Sequence, residues 1–151
     1  MNGFLRVVLC LLLPLLAVDC ASETAGSRPG TNSASAAICR AENFAAFLQR
    51  FASDSDFQKQ VTASPLQKLV VDGSALPEPK PVEKTIELAP ANFPIYPSAR
   101  RIEEDSLQIQ VKPGERGMTV SVSKADTDYL VVYLFEHREC WTLVRIEDWS
   151  L

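Results

Sequence analysis

Hydrophobic spacing changes character along the chain, and each change predicts an element. In "AENFAAFLQRFAS", Phe44, Phe47, Leu48 and Phe51 recur at one-turn and two-turn intervals. That is one face of a helix, predicted over residues 39–52. Ser53 with Asp56 three residues on resembles a capping box. It predicts a second, shorter helix that buries Phe57 and Val61 and ends near residue 63, ahead of Pro65.

The period then shortens to two. "LQKLVVDG" and "VEKTIELA" read as short strands, the second as an edge strand, separated by the extended connector "LPEPKP". "SLQIQVKPGERGMTVSVSK" alternates strictly, with Leu107, Ile109 and Val111 on one face and Met118, Val120 and Val122 on the next strand. "KPGERG" supplies the turn of a β-hairpin. "DYLVVYLFEHRECWTLVRIEDWSL" is a second hairpin turning at "EHRE". Its first strand is apolar on both faces, which predicts a central strand covered on both sides. Its second strand shifts face after Leu143, either a bulge or a two-sided strand. The sum is an α+β fold, with N-terminal helices packed on one face of a curved antiparallel sheet.

The start of the chain follows other rules. Arg6 is the only charge before an unbroken apolar run of about a dozen residues, Val7 to Val18, well short of the roughly 20 that span a bilayer. This is the pattern of a signal peptide over residues 1–19. Residues 20–37 are small and polar and read as a tether, leaving a single α+β domain over 38–151. Cys20 has two readings. Lipidation there would anchor the protein to the outer membrane, although Asp19 departs from the lipoprotein pattern. Plain cleavage after Cys20 or Ser22 would free it in the periplasm.

Export changes the cysteine arithmetic. Cys10 leaves with the signal, so Cys39 and Cys140 are the expected disulfide. A metal site on Cys39, Cys140 and His137 lacks a fourth ligand and a second close pair, so no metal is expected. The net charge of −4, with no basic block, argues against nucleic acid. The expected membrane contact is limited to the N-terminal lipid.

The chemistry is sparse. His137, the only histidine, falls in a hairpin turn with nothing placing a nucleophile beside it. "KADTD" lacks the later ligands of a calcium loop. No catalytic residue and no cofactor is assigned. Tyr129 and Tyr133 share a strand face and, with Trp141, are the pocket candidates.

"FLQRFASDSDFQKQVTASPL", "KADTDYLVVYLFE" and "CWTLVRIEDWSL" together resemble a family of small exported bacterial proteins placed in the nuclear-transport-factor-2-like superfold. The resemblance implies a helix-backed, cone-shaped sheet with a pocket between helices and sheet over residues 41–151. It does not imply a reaction. Two functions follow. One is a non-enzymatic module that binds a small apolar ligand or an envelope protein, or pairs with itself. The other is a small pocket enzyme of the isomerase or dehydratase type, for which Tyr129, Tyr133, Asp126, Asp128 and Asp148 are the available groups.

Overall fold

The computed structural model describes residues 43–151. The expected signal, tether, Cys20 and Cys39 lie outside the described residues.

Helix α1 spans Phe44–Ser53 and α2 spans Ser55–Gln60. The helix predicted from residue 39 starts five residues later, because Asn43 is its N-cap and accepts a hydrogen bond from the Ala46 N–H. The cap of α2 is likewise Asp54, not Ser53. Its carboxylate accepts from the N–H groups of both Asp56 and Phe57. Val61 closes α2 well before Pro65.

Six strands follow: β1 Thr62–Asp72, β2 Lys80–Ile86, β3 Leu107–Pro113, β4 Gly117–Lys124, β5 Leu130–His137 and β6 Trp141–Asp148. Their order is β2-β1-β6-β5-β4-β3. All neighbours are antiparallel except β1 and β6, which run parallel, so the sheet is mixed rather than antiparallel. β1 begins four residues earlier than "LQKLVVDG" suggests and runs through Pro65. Proline is tolerated there because the β1–β6 register is interrupted between Thr62 and Gln67, and pairing with β2 starts only at Leu66. A further short helix, α3, spans Ala99–Glu104 and is capped by Ser98. The sequence pattern did not predict it.

Both hairpins form as predicted, though the second turns at Arg138–Cys140, just past His137. At the first turn the Gly114 N–H donates to the Gly117 carbonyl over 2.9 Å. Gly117 cannot be replaced freely, since a Cβ there would collide with the Phe135 carbonyl oxygen. The change of face in β6 is a bulge. Phe135 pairs with Leu143 and Leu134 pairs with Arg145, leaving Val144 as the extra residue. The bulge puts Leu143 and Ile146, three apart, in the same core.

The core lies between the helices and one sheet face. Phe47, Phe51 and Phe57 meet Val120, Val122, Val131, Tyr133, Phe135, Leu143 and Ile146 there. β5 is central, but not covered equally on its two sides. Val131, Tyr133 and Phe135 are buried under the helices, whereas Leu130, Val132 and Leu134 are only half-buried on the other face, where no helix lies among the described residues. That second face is closed near β1 by charge. Arg145 holds Glu83 through two bonds of 3.0 and 2.6 Å and Glu147 through one of 2.7 Å. The register places Leu69 between those two carboxylates, and it is buried.

Candidate functional site

Among the described residues, two recesses on the helix side of the sheet bear on the expected pocket. The smaller, about 160 Å³, contains the predicted tyrosines. β5 and the residue before it place Tyr129 and Tyr133 four apart on one face. The loop leading into α3 adds Ile95 and Tyr96, and α3 adds Arg101. The Tyr96 and Tyr133 rings meet edge to face at 4.9 Å. The Tyr133 hydroxyl donates to the Ile95 carbonyl at 3.4 Å. Burial raises all three phenols above the usual tyrosine range, Tyr96 to about 12. Tyr129, the most open, also feels Arg101 pulling its value down and Asp148 and Asp105 pushing it up. Asp148 itself is partly exposed and lies 3.8 Å from Lys68. Gln58 and Thr62 are the buried polar residues, so among the described residues no buried carboxylate faces these phenols.

The raised phenols make stability fall at high pH. An unfolded tyrosine ionises near pH 10 and the folded Tyr96 near 12, so the folded state holds its proton more tightly. The contribution is fully present below about pH 10 and is lost as pH rises towards 12. Two pKa units correspond to about 2–3 kcal/mol for this group. Thermal melts between pH 9 and 12 should therefore show a steep drop above about 10. Tyr96→Phe should make it shallower, with Tyr133 and Tyr129 carrying the remainder.

Trp141 does not join the tyrosines. It stands at the opposite end of β5, packed on Phe44 at 4.8 Å and on His137 at 4.6 Å between ring centroids. His137 is exposed beside it. Among the described residues no three of His, Cys, Asp and Glu gather in a ligating cluster.

The larger recess, a groove of about 470 Å³, is not expected from the sequence: Phe44, Leu48, Val111 and Met118 read there as faces of a helix and of strands, and no pocket is assigned to them. α1 forms one wall with Phe44, Ala45, Leu48, Gln49 and Ala52. Tyr96 and Ile102 form another, and Val111 and Met118 form the floor on β3 and β4. Its lining carries no charged side chain. The groove exists because Ala45 and Ala52, two turns apart on one flank of α1, are too small to close it. That pair of alanines was the available sequence signal. Volume and apolar lining fall in the range of small-molecule sites.

A third depression, about 360 Å³, lies by the β3–β4 turn and the β6 bulge. Its arginines are already committed. Arg116 is 3.8 Å from Glu136, and Arg145 is held by Glu83 and Glu147.

No protein-family model matches the chain, and no curated protein matches it. Among solved structures it is similar to a nuclear-transport-factor-2-like protein from Bacteroides fragilis, known from a crystal structure. The two share 20% identity with a TM-score of 0.53, over 73% of this chain and 48% of that one. The fold is therefore nuclear-transport-factor-2-like, as the resemblance implied. The chain spans about half the length of that protein. At this identity the likeness defines the fold and carries no ligand or reaction, since members of one superfold differ widely in function.

Proposed function

We propose that this protein is an exported, non-enzymatic binding module whose groove beneath α1 takes a small, neutral, apolar ligand. The observation that carries this reading is the groove's lining: nine residues from α1, α3, two strands and a loop, none of them charged. An ionised ligand would enter without a counter-charge there and would bear the full cost of desolvation. Gln49 and Tyr96 are the residues of the lining with polar side-chain groups, and Gln49 could orient a carbonyl or hydroxyl on the ligand.

The test is a titration with a neutral solvatochromic dye. Saturable binding at one site is expected. Leu48→Glu should weaken it at least tenfold by placing a charge in the groove, while Tyr129→Phe, confined to the smaller recess, should leave it unchanged. No saturable uptake, or equal uptake by Leu48→Glu, would end the reading.

The isomerase or dehydratase alternative has one observation in its favour, the pair of phenols with Arg101 at the mouth of the smaller recess. Against it stands the Tyr133 hydroxyl, already engaged by the Ile95 carbonyl.

Export is part of the same proposal and rests on the sequence: the apolar run ending at Val18, with Cys20 either lipidated or cut away. An envelope protein would then be an available partner. We also propose a Cys39–Cys140 disulfide, which in an oxidising compartment would tie the segment before α1 to the turn before β6. Intact mass of the protein from its host, with and without reductant, reads the processing site, any acyl chain and the thiol count together.

A further inference from the structure

The two edges of the sheet are built differently. β2 carries Lys80, Pro81, Glu83 and Lys84 within seven residues. Charges and proline of this kind keep an edge from pairing. β3 reads Leu-Gln-Ile-Gln-Val-Lys-Pro, with a single charge, Lys112, near its end. No strand lies against its outer side among the described residues.

The turn after β3 shows which of its backbone groups face outward. The Gly114 N–H donates to the Gly117 carbonyl, and these two residues continue the β3–β4 register beyond the Pro113–Met118 pair. Backbone groups alternate in direction along an antiparallel strand, so Gln108, Gln110 and Lys112 also turn theirs towards β4. Leu107, Ile109 and Val111 therefore direct N–H and C=O away from the sheet. Pro113 belongs to the same outward set, so its missing N–H costs the sheet nothing.

We propose that β3 is a self-association edge. The β3 strand of a second copy pairs with it antiparallel, about a twofold axis through Gln110, and joins the two sheets into one. This register aligns the whole strand, and only the Leu107 carbonyl goes without a donor, because Pro113 opposite it has no N–H. Leu107 faces Pro113 of the second copy, Gln108 faces Lys112, Ile109 faces Val111 and Gln110 faces itself. Ile109 and Val111 exchange both of their outward hydrogen bonds. Lys112 meets a glutamine and not another lysine, so no like charges oppose each other. On the helix side, Val111, in the lining of the apolar groove, is 42% exposed, and Ile109 of the second copy packs beside it. The inference does not depend on what the groove binds. A single strand pair is a small interface, so a concentration-dependent dimer is expected.

Gln110 provides the test because it is exposed and the axis places it opposite itself. Sedimentation velocity of the full chain is run over a concentration series for the wild type, Gln110→Glu, Gln110→Lys and an equimolar mixture of the two variants. The wild type should dimerise. Each variant alone should dimerise about fivefold more weakly, because like charges then face each other across the axis. The mixture should regain at least wild-type association as a heterodimer. Val111→Pro, which removes an outward N–H that β4 does not use, should abolish the dimer while leaving the circular dichroism spectrum unchanged. A wild type that stays monomeric, a dimer indifferent to both charges, or a mixture that fails to recover would each overturn the proposal.

Discussion

Phe47→Ala is expected to cost about 3–5 kcal/mol, the range for removing a fully buried phenylalanine. Phe47 has no solvent exposure. Its ring centroid lies 5.8 Å from that of Phe51 on its own helix, 5.6 Å from Phe57 on α2 and 5.7 Å from Phe135 on β5. One ring therefore joins both N-terminal helices to the central strand. α1 has ten residues and α2 six, too short to persist without tertiary packing. A domain of this size commonly has about 5–15 kcal/mol in total, so the variant should sit near the edge of folding. Urea unfolding followed by circular dichroism would measure the loss. Phe47→Leu should cost clearly less, because most of the volume stays. A loss below about 1 kcal/mol for the alanine variant would mean that the helices do not depend on this cluster.

What could be read from the sequence was whatever repeats locally. The Phe44–Phe47–Phe51 stripe, the Leu107–Ile109–Val111 alternation and the shift after Leu143 are each contained in a few consecutive residues, and each led to the right element. What could not be read depends on partners distant in the chain. The parallel pairing of β1 with β6 brings Lys68 beside Ile146 and leaves no local mark. α3 offers one inward apolar residue, Ile102, which is too little for a period to show. The candidate site divides in the same way. Tyr129 and Tyr133 share a recess because strand alternation is local. Trp141 appeared to belong with them because it is aromatic and near in sequence, but the hairpin carries it to the far end of β5. The groove could not be read from one stretch because separate elements contribute to it, and its one local mark is the smallness of Ala45 and Ala52.

Gln58 illustrates the same difficulty with larger consequences. In "SDFQKQV" it reads as a solvent-facing residue, yet it is 1% exposed. Its amide is used at both ends. Nε2 donates to the Phe51 carbonyl at 2.7 Å, at the last turn of α1. Oε1 accepts from the Ile95 N–H at 2.8 Å, in the loop before α3. The Ile95 carbonyl is in turn held by the Tyr133 hydroxyl, so two side chains satisfy this one residue's backbone. Gln58→Leu would keep the volume and strand two buried groups. At about 1–3 kcal/mol for each orphaned partner, a loss of about 2–6 kcal/mol is expected. Gln58→Glu separates polarity from shape. The carboxylate can still accept from Ile95 but cannot donate to Phe51, and it buries a charge. Burial would raise the pKa of that carboxyl, so the glutamate variant should gain stability relative to wild type as pH falls and the neutral acid regains a donor. Chemical unfolding at neutral and mildly acidic pH would read both effects. Because Ile95 precedes Tyr96, a wall of both recesses, Gln58→Leu should also weaken dye uptake by the groove. If stability falls while uptake holds, the loop is positioned by Tyr133 alone, and Gln58 serves only to join α2 to the end of α1.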